Sequence, residues 1–269
     1  MRKAKCRCLL LLLLVVLLAA CTEQVAIEDT QGTSETVHIH AYVSTVIAPT
    51  YTEDGYTLYQ CSTCQEEYRD SYTQMPTDVV FTGAKKDYLQ PFADFSRKRV
   101  ENPEFVMVHF TSAVVLSKKD PYNMDTIRSI FEDYKVSVHY IIDRDGSIVC
   151  YMPEERVAYH AGYGTWKDDP KYTDNLNEYS IGIELVAIGS QQDMQQYLTK
   201  AEYEKLSENL IGFTDAQYVS LKTLVADICQ RNQIPMDREH VIGHEEYSAK
   251  KTDPGELFDW DRLLGTENG

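Results

Sequence analysis

A histidine, a lysine and an aspartate share one short segment near the end of the chain, Gly243-His244-Glu-Glu-Tyr-Ser-Ala-Lys-Lys251-Thr-Asp253-Pro-Gly255. A segment of this kind, entered from a predicted strand, can fold back so that an imidazole and a carboxylate converge on one point. Two side chains rarely hold a catalytic zinc; three protein ligands and an open fourth position are the usual arrangement. The best third donor is His109, in Phe-Val-Met-Val-His109-Phe-Thr, at the end of an apolar run. Taken singly, each has an ordinary alternative. A histidine ending an apolar strand is commonly a hydrogen-bonded core residue, and a lysine in a loop a solvated charge. The rest of the chain must therefore be a scaffold that brings residues 109 and 244–253 together.

Alternating strands and helices from about residue 81 mark that scaffold as an α/β domain. A strand is predicted at 105–110, and a helix over 123–134 with Met124, Ile127, Phe131 and Tyr134 on one face. Residues 136–143 and 147–151 form a predicted hairpin across Asp143-Arg-Asp-Gly146. The nearly unbroken apolar run 180–188 suits the centre of a sheet. Thr199 with Glu202, and Thr214 with Gln217, have the spacing of capping boxes. The second opens a helix whose Tyr218, Leu221, Val225 and Ile228 face inward, and a last strand is predicted at 238–242.

The chain has 269 residues, 43% hydrophobic and 25% charged, enough for one sizeable core and an accessory segment. With 26 basic against 42 acidic residues it carries −16, which argues against a nucleic-acid partner. The start reads as a leader. Arg2, Lys3, Lys5 and Arg7 precede an apolar run at 9–18 that is too short to span a membrane comfortably. The following Leu18-Ala-Ala-Cys21 resembles the bacterial lipoprotein signal, which implies loss of residues 1–20 and a lipid on Cys21. The expected location is extracytoplasmic, anchored to the cell membrane without crossing it and facing the cell wall. The polar stretch 21–37 then reads as a flexible tether.

Residues 38–78 form a tyrosine-rich Cys/His segment. The stretch from Tyr51 to Cys64 reads as a hairpin whose second strand runs into Cys61-Ser-Thr-Cys64. The segment resembles small Cys/His modules of Gram-positive surface proteins, which usually carry a cysteine where this chain has Tyr51 and a closing histidine absent here. His40 (or His38), Cys61 and Cys64 make a possible second metal site short of one ligand. A local disulfide and free thiols are the alternatives. Cys150 and Cys229 lie in apolar surroundings and read as buried thiols.

Six motifs in order carry a second resemblance. They are Val-His109-Phe-Thr; Val-Ser-Val-His139-Tyr with Asp145-Gly; Tyr159-His160-Ala-Gly; Asn177-Glu-Tyr-Ser-Ile-Gly-Ile-Glu184-Leu; Thr214-Asp-Ala-Gln; and Gly-His244 with Lys251-Thr-Asp253-Pro-Gly. Together they resemble the zinc-dependent N-acetylmuramoyl-L-alanine amidases of type 2, relatives of peptidoglycan-recognition proteins, over roughly residues 100–264. The resemblance implies an α/β fold, a single central mixed sheet flanked by helices, over residues 79–265. It implies Zn2+ on His109, His244 and Asp253, with Glu184 as general base and acid and Lys251 stabilising the oxyanion. Tyr159, where relatives often have tryptophan, would touch substrate with His160 and Asn177, unless Asn177 only turns the chain into its strand. His139 reads as a structural partner and His240 as a non-ligand. The expected reaction is cleavage of the amide between N-acetylmuramic acid and L-alanine in peptidoglycan or muropeptides, by a monomer. The alternative is a non-catalytic peptidoglycan-binding module of the same fold. Two departures stand out: the loop from His244 to Asp253 is one residue shorter than expected, and 189–213 is an insertion expected to add a helix at the rim of the site.

Overall fold

The computed structural model describes residues 38–265; the predicted leader, Cys21 and the tether lie outside the described residues. Two compact units emerge: one holds Asp54–Gln74 and the described residues up to Ala48, the other Pro49–Glu53 and the chain from Met75 onward. Among the described residues no helix is long and apolar enough to cross a membrane.

The smaller unit is an antiparallel meander of β1 (Tyr42–Ile47), β2 (Gly55–Cys61) and β3 (Glu67–Thr73) in that order. The first strand of the hairpin lies upstream of where the sequence suggested. Tyr51, which was expected to begin that hairpin, belongs to the larger unit, where its buried hydroxyl donates to Glu154 (2.9 Å). In these three strands only Gly55 and Cys61 are buried, and every residue of β3 is exposed. A sheet with so little covered apolar surface gains little from the hydrophobic effect.

The larger unit runs β4 (Lys85–Lys86), α1 (Phe92–Phe95), β5 (Ser96–Lys98), β6 (Phe105–Thr111), α2 (Met124–Tyr134), β7 (Tyr140–Ile142), β8 (Ile148–Cys150) and β9 (Arg156–Ala158). It continues through α3 (Leu176–Tyr179), β10 (Ser180–Val186), α4 (Lys200–Tyr203), α5 (Asp215–Asn232), β11 (Val241–Gly243), α6 (His244–Tyr247) and α7 (Trp260–Leu264). Six strands form one mixed sheet in the order β11-β6-β10-β7-β8-β4. The pairs β11–β6, β6–β10, β10–β7 and β4–β8 are parallel, and the β7–β8 hairpin is antiparallel. Helices flank this sheet, as the resemblance implied.

Strand alternation decides what each face carries. Val106, Val108, Ile181, Ile183 and Leu185 point to one side and pack on Tyr218, Leu221, Val225 and Ile228 of α5. Each such side chain contributes about 1.5–3 kcal/mol when fully buried. The intervening positions, including His109 and its register partner Glu184, point to the other side. The capping box that opens α5 also serves the sheet. Thr214 accepts the Gln217 amide (3.1 Å), while the buried Gln217 carboxamide donates to the carbonyls of Ile142 (3.1 Å) and Val186 (2.9 Å). Thr199 and Glu202 cap α4 in the same manner. Cys150 and Cys229 are buried free thiols.

Three expectations change. Tyr134 is 76% exposed, because α2 ends there and Lys135 turns left-handed, leaving Ile127 and Phe131 to make the contact. The strand expected over 136–143 shortens to β7, since the Ser137 amide donates instead to Tyr159 O (3.1 Å). The last strand begins only at Val241, because the Asp237 carbonyl draws the His240 and Val241 amides into a turn.

Candidate active site

The site lies where β6, β10 and β11 run side by side. His109 stands on β6, and His244 follows β11 as the first residue of α6, whose Glu246 carboxylate accepts the Gly243 amide (2.7 Å). Asp253 is brought back by the loop after α6, where the Glu245 amide donates to the Asp253 carbonyl (2.9 Å). Three atoms then converge. His109 Nδ1 lies 3.0 Å from His244 Nδ1 and 2.8 Å from Asp253 Oδ2, and His244 Nδ1 lies 3.0 Å from the same oxygen. Both imidazoles are buried and the carboxylate nearly so.

Outer hydrogen bonds assign the tautomers. The Ser180 hydroxyl donates to Leu176 O (2.6 Å), so His160 Nε2 must be the donor in its contact with Ser180 Oγ (3.3 Å). His160 Nδ1 is then an acceptor, and takes the proton of His109 Nε2 (3.0 Å). His244 Nε2 donates to Ala161 O (2.9 Å). Both Nδ1 atoms are left with lone pairs aimed at one point beside a carboxylate. Three acceptors this close repel one another unless a cation lies between them, and outer-shell partners of this kind orient metal-bound histidines. The donor set fits a divalent metal. Burial pushes the His109 imidazole down to about 4, with His244 adding to that effect and Asp253 opposing it. Burial works against the Asp253 carboxylate, yet the two histidines hold its pKa well below the ordinary value.

Glu184 projects from β10 beside His109. Its Oε2 is sealed from solvent without a hydrogen-bond partner. Burial first, then the Asp253 charge, raise its pKa well above the ordinary carboxylate value, with Lys251 opposing. An unsatisfied buried acceptor costs roughly 1–3 kcal/mol, and such perturbed groups cluster where chemistry is done. Lys251 is exposed and lines a cleft of about 480 Å³ with Glu245, Thr252 and Trp260.

His160 takes a place other than the substrate contact expected, while Asn177, His139 and His240 fill the structural places their sequence readings allowed. Both ring nitrogens of His160 are used inside the protein, so this imidazole supports His109 and has no hydrogen bond left for a substrate. Gly182 makes the room, since a Cβ there would come within 2.6 Å of His160 Cγ. Asn177 does not reach for substrate either; its Oδ1 accepts the amides of His160 (2.9 Å) and Ala161 (2.7 Å) and fixes that turn. Tyr159 is half-buried. The His139 ring accepts the Gly182 amide at Nδ1 (3.0 Å) and meets Arg156 O at Nε2 (3.0 Å), with its pKa lowered to about 3, chiefly by burial. His240 pairs with Asp237 (2.7 Å), away from the converging atoms. His38, weighed only as a substitute for His40, stands beside it with Cys61 and Cys64, giving four potential ligands.

Two residues near the site carried no sequence signal. Glu245 has one oxygen sealed without a partner, and burial, with Glu246 and Asp253, raises its pKa to about 8. Tyr197, from the insertion, has its hydroxyl pKa raised by burial and by the Asp253 and Glu184 carboxylates. The insertion packs Met194 and Leu198 against Val114 and Ile188 in a small cluster, and its Asp193 carbonyl accepts the Thr252 hydroxyl (3.1 Å).

Comparison with known proteins adds a family. Residues 99–256 match the family described as Amidase_2, N-acetylmuramoyl-L-alanine amidase. Over 150 residues the chain is 31% identical to the 1,6-anhydro-N-acetylmuramyl-L-alanine amidase AmpD of Haemophilus influenzae, covering 55% of this chain and 67% of that protein. It is 30% identical over 149 residues to the N-acetylmuramoyl-L-alanine amidase AmiD of Escherichia coli, covering 52% of this chain and 48% of the relative. Among solved structures, a crystal structure of a selenomethionine AmpD derivative matches with a TM-score of 0.47 and 25% identity, covering 71% of this chain and 97% of the other.

Proposed function

The chain belongs to the N-acetylmuramoyl-L-alanine amidase family, and from that premise we propose that it hydrolyses the amide joining the lactyl group of N-acetylmuramic acid to L-alanine in peptidoglycan or its fragments. The observation that carries this reading is the convergence of His109 Nδ1, His244 Nδ1 and Asp253 Oδ2 within 3.0 Å of one another, beside the half-buried Glu184, one of whose oxygens is sealed without a partner. Zinc held by these three residues would supply a Lewis acid for the carbonyl and ease the deprotonation of water.

The remaining work falls to the chain's own groups. Glu184, desolvated so that a proton on it is well held, takes one from the attacking water and passes it to the departing nitrogen of alanine. A carbon–oxygen bond forms first, making the carbonyl carbon tetrahedral, and the carbon–nitrogen bond then breaks to leave a lactyl carboxylate and a free amine. Lys251 steadies the negative oxygen as the carbonyl becomes tetrahedral. His160, Ser180 and Asn177 hold the site in register from beneath. Tyr159 is the substrate contact, and Tyr197 adds to the rim from the insertion. Acylation at Cys21 would keep this activity outside the cytoplasm, at the membrane surface facing the wall.

Digestion of purified cell wall by the zinc-loaded protein, with mass spectrometry of the products, tests the reading. New lactyl carboxylates and alanine amino termini are expected. A digest without them, or a Glu184→Ala variant as active as the parent, overturns it.

A further inference from the structure

We propose that the smaller unit carries a metal site of its own, a closed four-ligand zinc centre made by His38, His40, Cys61 and Cys64. Sequence spacing offered three ligands and a vacancy; the fold fills it with a second histidine, because both stand just before β1, and β1 pairs with β2, whose last residue is Cys61. His38 Nε2 lies 3.3 Å from Cys61 Sγ and His40 Nδ1 lies 3.3 Å from Cys64 Sγ. All four ligand atoms fall within 4.8 Å of one another. Around a tetrahedral zinc with its usual bond lengths, such atoms sit about 3.3–3.8 Å apart. The two nitrogen–sulfur contacts lie within a few tenths of an ångström of that spacing, and the remaining pairs need to close by no more than about 1.5 Å.

The surroundings are those of a built site. The Cys61 amide donates to Glu66 O (2.8 Å) and the Gln65 amide to Cys61 O (3.0 Å), closing a tight knuckle that Gln65 completes with a left-handed φ of 65°. Both sulfurs are held in that knuckle as free thiols. Glu66 Oε2 approaches His40 Nε2 (3.3 Å), which places the proton on that nitrogen and leaves Nδ1 to the metal. The His40 ring also stacks on Tyr42, with centroids 5.4 Å apart. Four protein ligands leave no position for water, so the site is structural rather than catalytic. The need is plain from the meander itself. Small units without a core are usually stabilised by disulfides, metals or association, and a structural metal contributes its binding energy directly to folding.

Cobalt(II) substitution of the purified full-length chain tests this without relying on catalysis. A thiolate-to-cobalt charge-transfer band in the near ultraviolet is expected, since the other candidate site has no sulfur. Asp253→Ala should keep that band. Cys61→Ser should remove it and lower the bound metal by one equivalent, while activity on soluble muropeptides persists. Because Cys61→Ser could also act by unfolding the unit, His40→Cys serves as the second variant: it should retain the equivalent and strengthen the band. Absence of the band in the parent, a Cys61–Cys64 disulfide in its place, or loss of the band in His40→Cys overturns the proposal. Failure of the amidase reading would leave the cobalt band and the metal equivalents unchanged.

Discussion

The two ligand clusters of this protein are built in opposite ways. His109, His244 and Asp253 are gathered at a six-stranded sheet with a dense core on its far face. His38, His40, Cys61 and Cys64 sit on a three-stranded meander whose last strand is wholly exposed. In the first, the fold positions the ligands. In the second, the ligands must help make the fold. The donor chemistry follows the same division: nitrogen and oxygen with room for a reactant on one side, sulfur and nitrogen in a closed set on the other.

The largest effect should come from stripping metal. Structural zinc in small domains is worth roughly 10–16 kcal/mol, so a chelator should expose the amides of residues 38–47 and 55–73 to fast hydrogen exchange. Those of β6 and β10 should stay protected. Equal loss of protection in both units would erase the contrast. Next, Asp253→Ala should take activity below detection while the metal-free larger unit melts at an equal or higher temperature, because three crowded acceptors become two. Glu184→Gln should lower kcat by about 10²–10⁴-fold, and Lys251→Ala by about 10²–10³-fold, both with metal content unchanged by elemental analysis.

A smaller effect concerns pH. Burial acts to raise the Glu178 carboxyl, but the amides of Val100 (2.7 Å) and Glu101 (2.9 Å) and the Arg97 guanidinium outweigh it and hold its pKa below the ordinary carboxylate value. A depressed carboxyl gives stability that is complete above its unfolded value and is lost as pH falls through its folded one. Glu178→Gln should therefore lower stability at neutral pH and flatten the acid limb of the unfolding curve. Smallest of all, Tyr134→Ala should change stability by no more than about 0.5 kcal/mol, against about 3–5 kcal/mol for Phe131→Ala, as read by denaturant titration.

Much of the larger unit was legible because its signals are local or periodic. Nearly unbroken apolar runs at 105–110 and 180–188 revealed the central strands, and the threonine–glutamine spacing at 214–217 the start of α5. Motif order singled out His109, Glu184, His244, Lys251 and Asp253, and the fold gathers all five into one region. What stayed hidden depends on contacts between distant segments. That His160 would pass its ring under His109 follows from a glycine on a neighbouring strand, and no spacing within Tyr-His-Ala-Gly reveals it. Tyr134 satisfied the helical period, yet its helix ends before there is anything to cover it. Tyr197 and Glu245 gain their character from burial supplied by other elements. His38 looked redundant with His40 until the strand pairing set both opposite the cysteine knuckle.

Gly182 carries a consequence of a different order. The place where an ion would sit is governed by an imidazole that touches neither ion nor substrate, and that imidazole rests where a side chain on the central strand is missing. A single methyl group there would remove no functional group and alter no charge, yet it would lift His160, tilt His109 and open the triangle of ligands. The centre is thus tuned from below by a vacancy of atomic size, and a mutational survey confined to reactive residues would pass over one of its most sensitive controls.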